Sequence, residues 1–167
     1  MKHTAYLAFG SNLGEPQRQC KQALALLQQN TSVKLLRCSP WFRSPALTLK
    51  QEEQADYCNG VAAFATSLEA QAFFQFLKTT ETKLGRPVIH QKWAPRVIDL
   101  DLLLFDKLVY RDETLTLPHP ELTKRLFVLQ PLCLIASELQ DPLSGKNFTS
   151  FRDELLKKEK ILDSWQQ

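Results

Sequence analysis

Two carboxylates interrupt the most apolar run of the chain, Val97-Ile98-Asp99-Leu100-Asp101-Leu102-Leu103-Leu104-Phe105. An extended backbone sends alternate residues to opposite faces. Asp99 and Asp101 then share one face, about 7 Å apart at Cα, while Ile98, Leu100, Leu102 and Leu104 share the other. Both faces are apolar further along, so the carboxylates stand at the mouth of a core strand. A charge there is costly unless it is paired or binds a metal. Hard oxygen ligands in this number suit Mg2+, which keeps several waters and completes its shell from substrate phosphates. An ion pair with Arg96 or another loop cation accounts for the same short pattern equally simply.

Two further residues stand out by position. Glu81 continues the buried stripe of a helix, four residues after Leu77 and three before Leu84, with Lys78 one turn earlier on the same side. It either contacts a ligand or pairs with Lys78. His119 lies between Pro118 and Pro120, in a stiff loop, where it serves a ligand or a structural hydrogen bond. No G-x-x-x-x-G-K-[ST] occurs, and Gly10-Ser11-Asn12-Leu13-Gly14 lacks the G-x-G-x-x-G spacing. Phosphate binding, where present, then falls to cations and metals. Cations cluster between Arg86 and Arg96 and recur at Arg111, Lys124 and Arg125.

The elements that must position these residues follow from periodicity and punctuation. Thr4 to Phe9 reads as a strand, Gly10 to Gly14 as a turn, and Pro16 opens a helix to about Gln29. Val33 to Phe42 and Tyr57 to Thr66 read as strands, separated by a polar loop from Ser44 to Asp56. A second helix is expected from an N-cap at Ser67 to Leu84, stopping at Gly85. A loop from Arg86 to Pro95 leads into the aspartate strand. The order β-α-β-β-α-β predicts an α+β fold with a ferredoxin-like core, an antiparallel sheet with two helices on one face. The remainder predicts a short strand at Leu115 to Leu117, a helix from Glu121 to Ala136 bent or interrupted at Pro131, and a polar C-terminal helix.

A length of 167 residues fits one domain over residues 1–167, large enough to bury a core without disulfides. The four cysteines are widely spaced and read as core thiols. A net charge of +3 is too small to argue for nucleic acid. The opening Thr4 to Phe9 run is short of a signal peptide or a membrane span, so the expected location is the cytoplasm.

Taken together, the chain resembles the 6-hydroxymethyl-7,8-dihydropterin pyrophosphokinase family. The signature is Lys92-Trp93-Ala94-Pro95-Arg96-Val97-Ile98-Asp99-Leu100-Asp101-Leu102-Leu103, with Gly10-Ser11-Asn12-Leu13-Gly14, Arg43-Ser44-Pro45, Asp56-Tyr57-Cys58-Asn59, and Thr116-Leu117-Pro118-His119-Pro120 followed by Arg125 and Phe127. These matches run in family order over residues 5 to about 140. The resemblance implies transfer of pyrophosphate from ATP to the hydroxymethyl group of the pterin in folate biosynthesis, with AMP leaving. It implies two Mg2+ ions on Asp99 and Asp101, and a phosphate clamp from Arg86 and Arg96. The positions similar to the pterin site are Ser44, Pro45, Leu47, Tyr57, Asn59, Trp93 and Phe127. Those similar to the ATP site are Lys78, Glu81, Arg96, Ile98, Thr116, His119 and Arg125. It further implies a monomer, while the small net charge and the short opening run point to no nucleic-acid and no membrane partner. The chain departs from well-known members at Val88 and Thr114, where they carry arginine, at Lys78, where they carry glutamine, and at Pro120, where tyrosine is common.

Two other readings use the same architecture. A ferredoxin-like RNA-binding module is expected to carry K/R-G-F/Y-G/A-F-V-x-F/Y in a central strand, which Tyr57-Cys58-Asn59-Gly60-Val61-Ala62-Ala63-Phe64 lacks. A non-catalytic homologue that binds nucleotide or pterin is suggested by the missing arginines.

Overall fold

A computed structural model describes residues 1–44, 56–85 and 97–158. The elements are β1 (His3–Ser11), α1 (Pro16–Leu27), β2 (Val33–Cys38), β3 (Phe42–Ser44), β4 (Tyr57–Thr66), α2 (Ala70–Lys83), β5 (Asp99–Phe105), β6 (Tyr110–Arg111), β7 (Thr116–Leu117), a 3-10 turn (Leu122–Lys124), α3 (Leu126–Ile135) and α4 (Phe148–Leu156). The sheet runs β2-β4-β1-β5 with β3 also paired to β4, and every pairing is antiparallel. This is the ferredoxin-like order expected from β-α-β-β-α-β.

The alternation of each strand divides the core in two. Leu7, Phe9, Cys58, Ala62, Phe64, Leu100 and Leu102 pack with Cys20, Ala23 and Leu27 of α1 and Phe73 and Leu77 of α2. Ala8, Val61, Ala63 and Leu103 pack instead with Val128, Leu129 and Leu132 of α3 and Phe148 of α4. The C-terminal helices thus cover the face that the bare ferredoxin-like plan leaves open. All four cysteines are free thiols, and three of them are buried.

Four local expectations are corrected. First, Leu104 does not share a face with Leu100 and Leu102. Pairing of β1 with β5 slips between Tyr6 and Leu7, so that Tyr6 opposes Leu104 and Leu7 opposes Leu102. The extra residue is a bulge, which turns Leu104 to the α3 core and Phe105 back to the α1/α2 core. Second, Val33 to Phe42 is two strands rather than one. Pro40 has no N–H for a ladder, and Ser39 occupies Val61 with its own groups, its N–H donating to Val61 O at 2.9 Å and its Oγ accepting from Val61 N at 3.0 Å.

Third, α2 begins at Ala70 with Glu69 at the N-cap, while Ser67 sends its N–H to Ser32 O at 3.1 Å. Its far end is as expected, since Gly85 takes φ +100, a left-handed conformation that favours glycine. Fourth, the expected helix at Glu121 to Ala136 breaks at Arg125, whose φ −120 and ψ 108 are extended, and Pro131 lies inside α3 without ending it. The short strand at Thr116–Leu117 pairs with Tyr110–Arg111. Asp112 closes that hairpin by accepting from Thr114 N and Leu115 N, both at 2.8 Å, and from the Tyr110 hydroxyl at 2.5 Å.

Gly60 shows how closely β4 is packed. A Cβ at this position would overlap the ring of Trp41, itself only 4% exposed. A rigid buried ring cannot step aside as a flexible chain end can. Gly60→Ala is therefore expected to lower stability by about 1–3 kcal/mol, the usual scale of overpacking, measured by urea denaturation. An unchanged midpoint would show that Trp41 has room to move.

Candidate active site

The mouth of the sheet is built from the ends of four strands. Phe42 opposes Asn59, Asn59 opposes Gly10, and Gly10 opposes Asp99. Residues directly opposite each other in an antiparallel ladder put their side chains on the same face. Two residues along, Ala8 opposes both Val61 and Asp101, and at the rim Ser44 opposes Tyr57. Ser44, Tyr57, Asn59, Asp99 and Asp101 thus share one face, the one that α3 covers deeper in. Gly10 lies between Asn59 and Asp99 and contributes no side chain.

Asn59 is held in a defined orientation. It is 6% exposed, and its Oδ1 accepts from Ser44 Oγ at 2.5 Å. Its Nδ2 then lies over Gly10, 3.3 Å from where a Cβ on that residue would stand, with Tyr57 Cδ1 at 4.0 Å from the same point. Any larger residue at position 10 would fill this cradle. Glycine inside a strand often marks such a close approach. The sequence pattern places Gly10 in a turn, and only the pairing of β1 through Ser11 shows that it belongs to the strand. Ser11 also fastens the approach to β5, its Oγ donating to Val97 O.

Asp99 and Asp101 are half-buried, as a ligand-facing pair at a sheet mouth should be. Among the described residues no group of three or more His, Cys, Asp or Glu gathers in a way that could hold a metal. A cation here would take two protein carboxylates and the rest of its shell from water and ligand oxygens, which is the habit of Mg2+. The donor chemistry fits that ion.

His119 belongs to the same electrostatic neighbourhood. Its backbone N–H donates to Leu103 O at 2.9 Å, which docks the Pro118–Pro120 loop on β5, and its Nδ1 accepts from Glu121 N at 3.1 Å. In the neutral ring the proton therefore sits on Nε2, leaving that nitrogen as a donor. Burial holds the imidazole below its ordinary value; the Asp101 carboxylate opposes this, while Arg125 and Lys78 reinforce it. Arg125 stands over the ring of Phe127, its Cζ 5.7 Å from the centroid. Phe127 is the second residue of α3 and packs partly against the core on the aspartate face.

The remaining candidates divide. Thr116 is half-buried on β7. Ile98 is fully buried, and its side chain lies in the α1/α2 core, on the face away from the aspartates. Lys78 and Glu81 meet β5 from α2: Lys78 Nζ is 3.1 Å from Glu81 Oε1, and Glu81 Oε2 accepts from Leu100 N at 2.7 Å. Thr114 serves the β6–β7 turn by bonding to Asp112. Pro45, Leu47, Arg86, Val88, Trp93 and Arg96 lie outside the described residues.

Residues 6–137 match the sequence profile of the 7,8-dihydro-6-hydroxymethylpterin-pyrophosphokinase (HPPK) family. The chain belongs to this family. Among curated relatives, the 2-amino-4-hydroxy-6-hydroxymethyldihydropteridine pyrophosphokinase of Synechocystis is 35% identical over 153 residues, covering 92% of this chain and 76% of the relative. The Haemophilus influenzae protein of the same name is 38% identical over 141 residues, covering 84% and 86%. The Schizosaccharomyces pombe folic acid synthesis protein fol1 is 33% identical over 151 residues, 90% of this chain and 20% of that protein.

Solved structures agree on the fold. An HPPK-DHPS in complex with substrates superposes with a TM-score of 0.72 at 12% identity, covering 96% of this chain and 45% of that one. The Plasmodium falciparum HPPK-DHPS with SDX-DHP gives 0.72 at 11% identity, covering 94% and 44%. This HPPK family chain therefore spans less than half the length of those fused proteins.

Proposed function

We propose that the chain transfers a pyrophosphoryl group from ATP to 6-hydroxymethyl-7,8-dihydropterin, forming AMP and the pterin diphosphate in folate biosynthesis in the cytoplasm. The observation that carries this reading is the shared face: an oriented amide at Asn59 and two carboxylates at Asp99 and Asp101, one strand apart on either side of Gly10. A flat heterocycle read at one end by Asn59 can then present its other end to the carboxylates. Tyr57 and Phe127 supply aromatic faces for stacking. By the family resemblance, Ser44 and Leu47 would offer backbone groups to the pyrimidine edge, and Pro45 and Trp93 would line the pocket.

Asp99 and Asp101 would hold two Mg2+ ions, which would supply charge neutralisation to the phosphates of an in-line displacement. The pterin hydroxyl oxygen bonds to the β-phosphorus as its proton passes to solvent water, and the bond from that phosphorus to the α–β bridging oxygen breaks, releasing AMP with that oxygen. Arg86, Arg96 and Arg125 grip phosphate oxygens, with His119 Nε2–H and the Thr116 region as neutral partners. Positioning and electrostatics supply most of the catalysis, because phosphoryl transfer asks for little covalent work from the protein.

The test is AMP release from ATP with Mg2+, with and without the hydroxymethyl pterin. AMP is expected only when the pterin is present, one for each pterin diphosphate formed. Pterin binding without AMP would favour a non-catalytic homologue, and binding of single-stranded RNA without either would favour the RNA module. Among the described residues no helix is long and apolar enough to cross a membrane.

A further inference from the structure

β5 ends the path β2-β4-β1-β5, so its outer backbone edge has no strand partner among the described residues. In an antiparallel ladder, alternate residues turn both N–H and C=O toward the same side. Leu100 turns both outward. Its N–H donates to Glu81 Oε2 at 2.7 Å, and its carbonyl accepts from Lys78 Nζ at 3.4 Å. Lys78 Nζ and Glu81 Oε1 are joined at 3.1 Å, which closes a ring of charged and backbone groups. Two side chains of α2 thus stand in for the missing strand at a single residue. That residue is the one between Asp99 and Asp101.

Water would satisfy an exposed strand edge without burying charge. Here the Glu81 side chain is only 3% exposed, and a carboxylate buried to that degree is costly unless fully hydrogen-bonded. Both of its oxygens are engaged within the protein. We propose that Lys78 and Glu81 are positioning residues, which hold the Leu100 peptide and so fix the separation and pitch of the Asp99 and Asp101 carboxylates. This rests on the reading of those aspartates as magnesium ligands. Mg2+ demands near-ideal octahedral geometry, so a carboxylate pair on a frayed strand end would hold it less well. The influence of Glu81 on nucleotide then passes through the metal site. The lysine at 78 gives the ring a full charge and a long reach to the Leu100 carbonyl.

The test uses Mn2+ alone as the probe, bound to the protein without nucleotide and read by water-proton relaxation. Affinity is expected to fall about 10- to 100-fold in Glu81→Ala and in Lys78→Met, the usual scale for partners that orient metal ligands. Glu81→Gln, which keeps an acceptor for the Leu100 amide, should fall between these and the parent. Hydrogen exchange at the Leu100 amide should quicken in Glu81→Ala in the same protein samples. Any loss of binding of a non-hydrolysable ATP analogue in EDTA should be smaller than the loss of Mn2+ binding.

Unchanged Mn2+ affinity in folded Lys78→Met and Glu81→Gln would overturn the proposal, even where Glu81→Ala fails to fold. So would a loss of metal-free analogue binding equal to the loss of Mn2+ binding, since that marks a direct nucleotide contact. Asp101→Asn is the control. If it leaves Mn2+ affinity unchanged, the metal reading itself fails; if it abolishes binding while the α2 variants do nothing, only the positioning role fails.

Discussion

Asp99→Asn and Asp101→Asn are each expected to lower AMP formation by more than about 10- to 100-fold, the cost typical of changes one layer further from a metal. The amide is nearly the same size as the carboxylate but cannot serve as an anionic oxygen ligand. Both residues are half-buried at the mouth of β5 and face away from the α1/α2 core, into which Ile98 and Leu100 pack. The fold should therefore survive, and melting temperature by calorimetry should stay near that of the parent. Turnover is measured at saturating ATP and pterin, so that a change of affinity alone is not mistaken for lost chemistry. A folded variant with near-parental turnover would end the two-metal reading.

Asn59→Leu should act on the other half of the site. The leucine leaves the polar edge of the pterin unpaired and removes the acceptor that Ser44 Oγ uses at 2.5 Å. Burying unsatisfied groups costs about 1–3 kcal/mol, or roughly 5- to 150-fold in pterin Kd. ATP-analogue affinity should be unaffected, because Asn59 and the aspartates lie on opposite sides of Gly10. Calorimetric titration of each ligand separates the two outcomes. A loss confined to the nucleotide would mean that the pterin pocket has been placed wrongly.

Much of the fold is written in local pattern. The apolar stripe of Cys20, Ala23 and Leu27 sets the buried side of α1 without help from elsewhere, and Tyr57–Thr66 is legible as a strand, although it is buried on both faces. What the pattern misses depends on a partner. The bulge beyond Leu102 exists only against β1, so the orientation of Leu104 follows from pairing and not from its own neighbours. Ser67 has the chemistry of an N-cap, yet its backbone is taken by Ser32 and the helix opens later.

The site divides the same way. Alternation within β5 puts the two aspartates on one side, and the family motif draws in Tyr57 and Asn59. That these strands turn the same side to the same space is a property of register, which no single strand carries. Lys78 and Glu81 make the point from the other direction. Their spacing permits either a ligand contact or a mutual pair; the structure shows the pair, tied to Leu100, nineteen residues beyond Glu81 in the chain.

The row Asn59–Gly10–Asp99 runs across strands rather than along one, and this makes its length unusually resistant to change. Its span is two inter-strand steps, each about 4.7–4.9 Å and set by backbone hydrogen bonds. Side-chain volume in the two cores sets how far the helices stand from the sheet, a different coordinate. Substitutions under α1, α2 or α3 can therefore accumulate as losses of stability while the gap between the amide and the carboxylates stays constant. The lineage is free to drift in its core without recalibrating its reach, and the backbone of three strands keeps the measure.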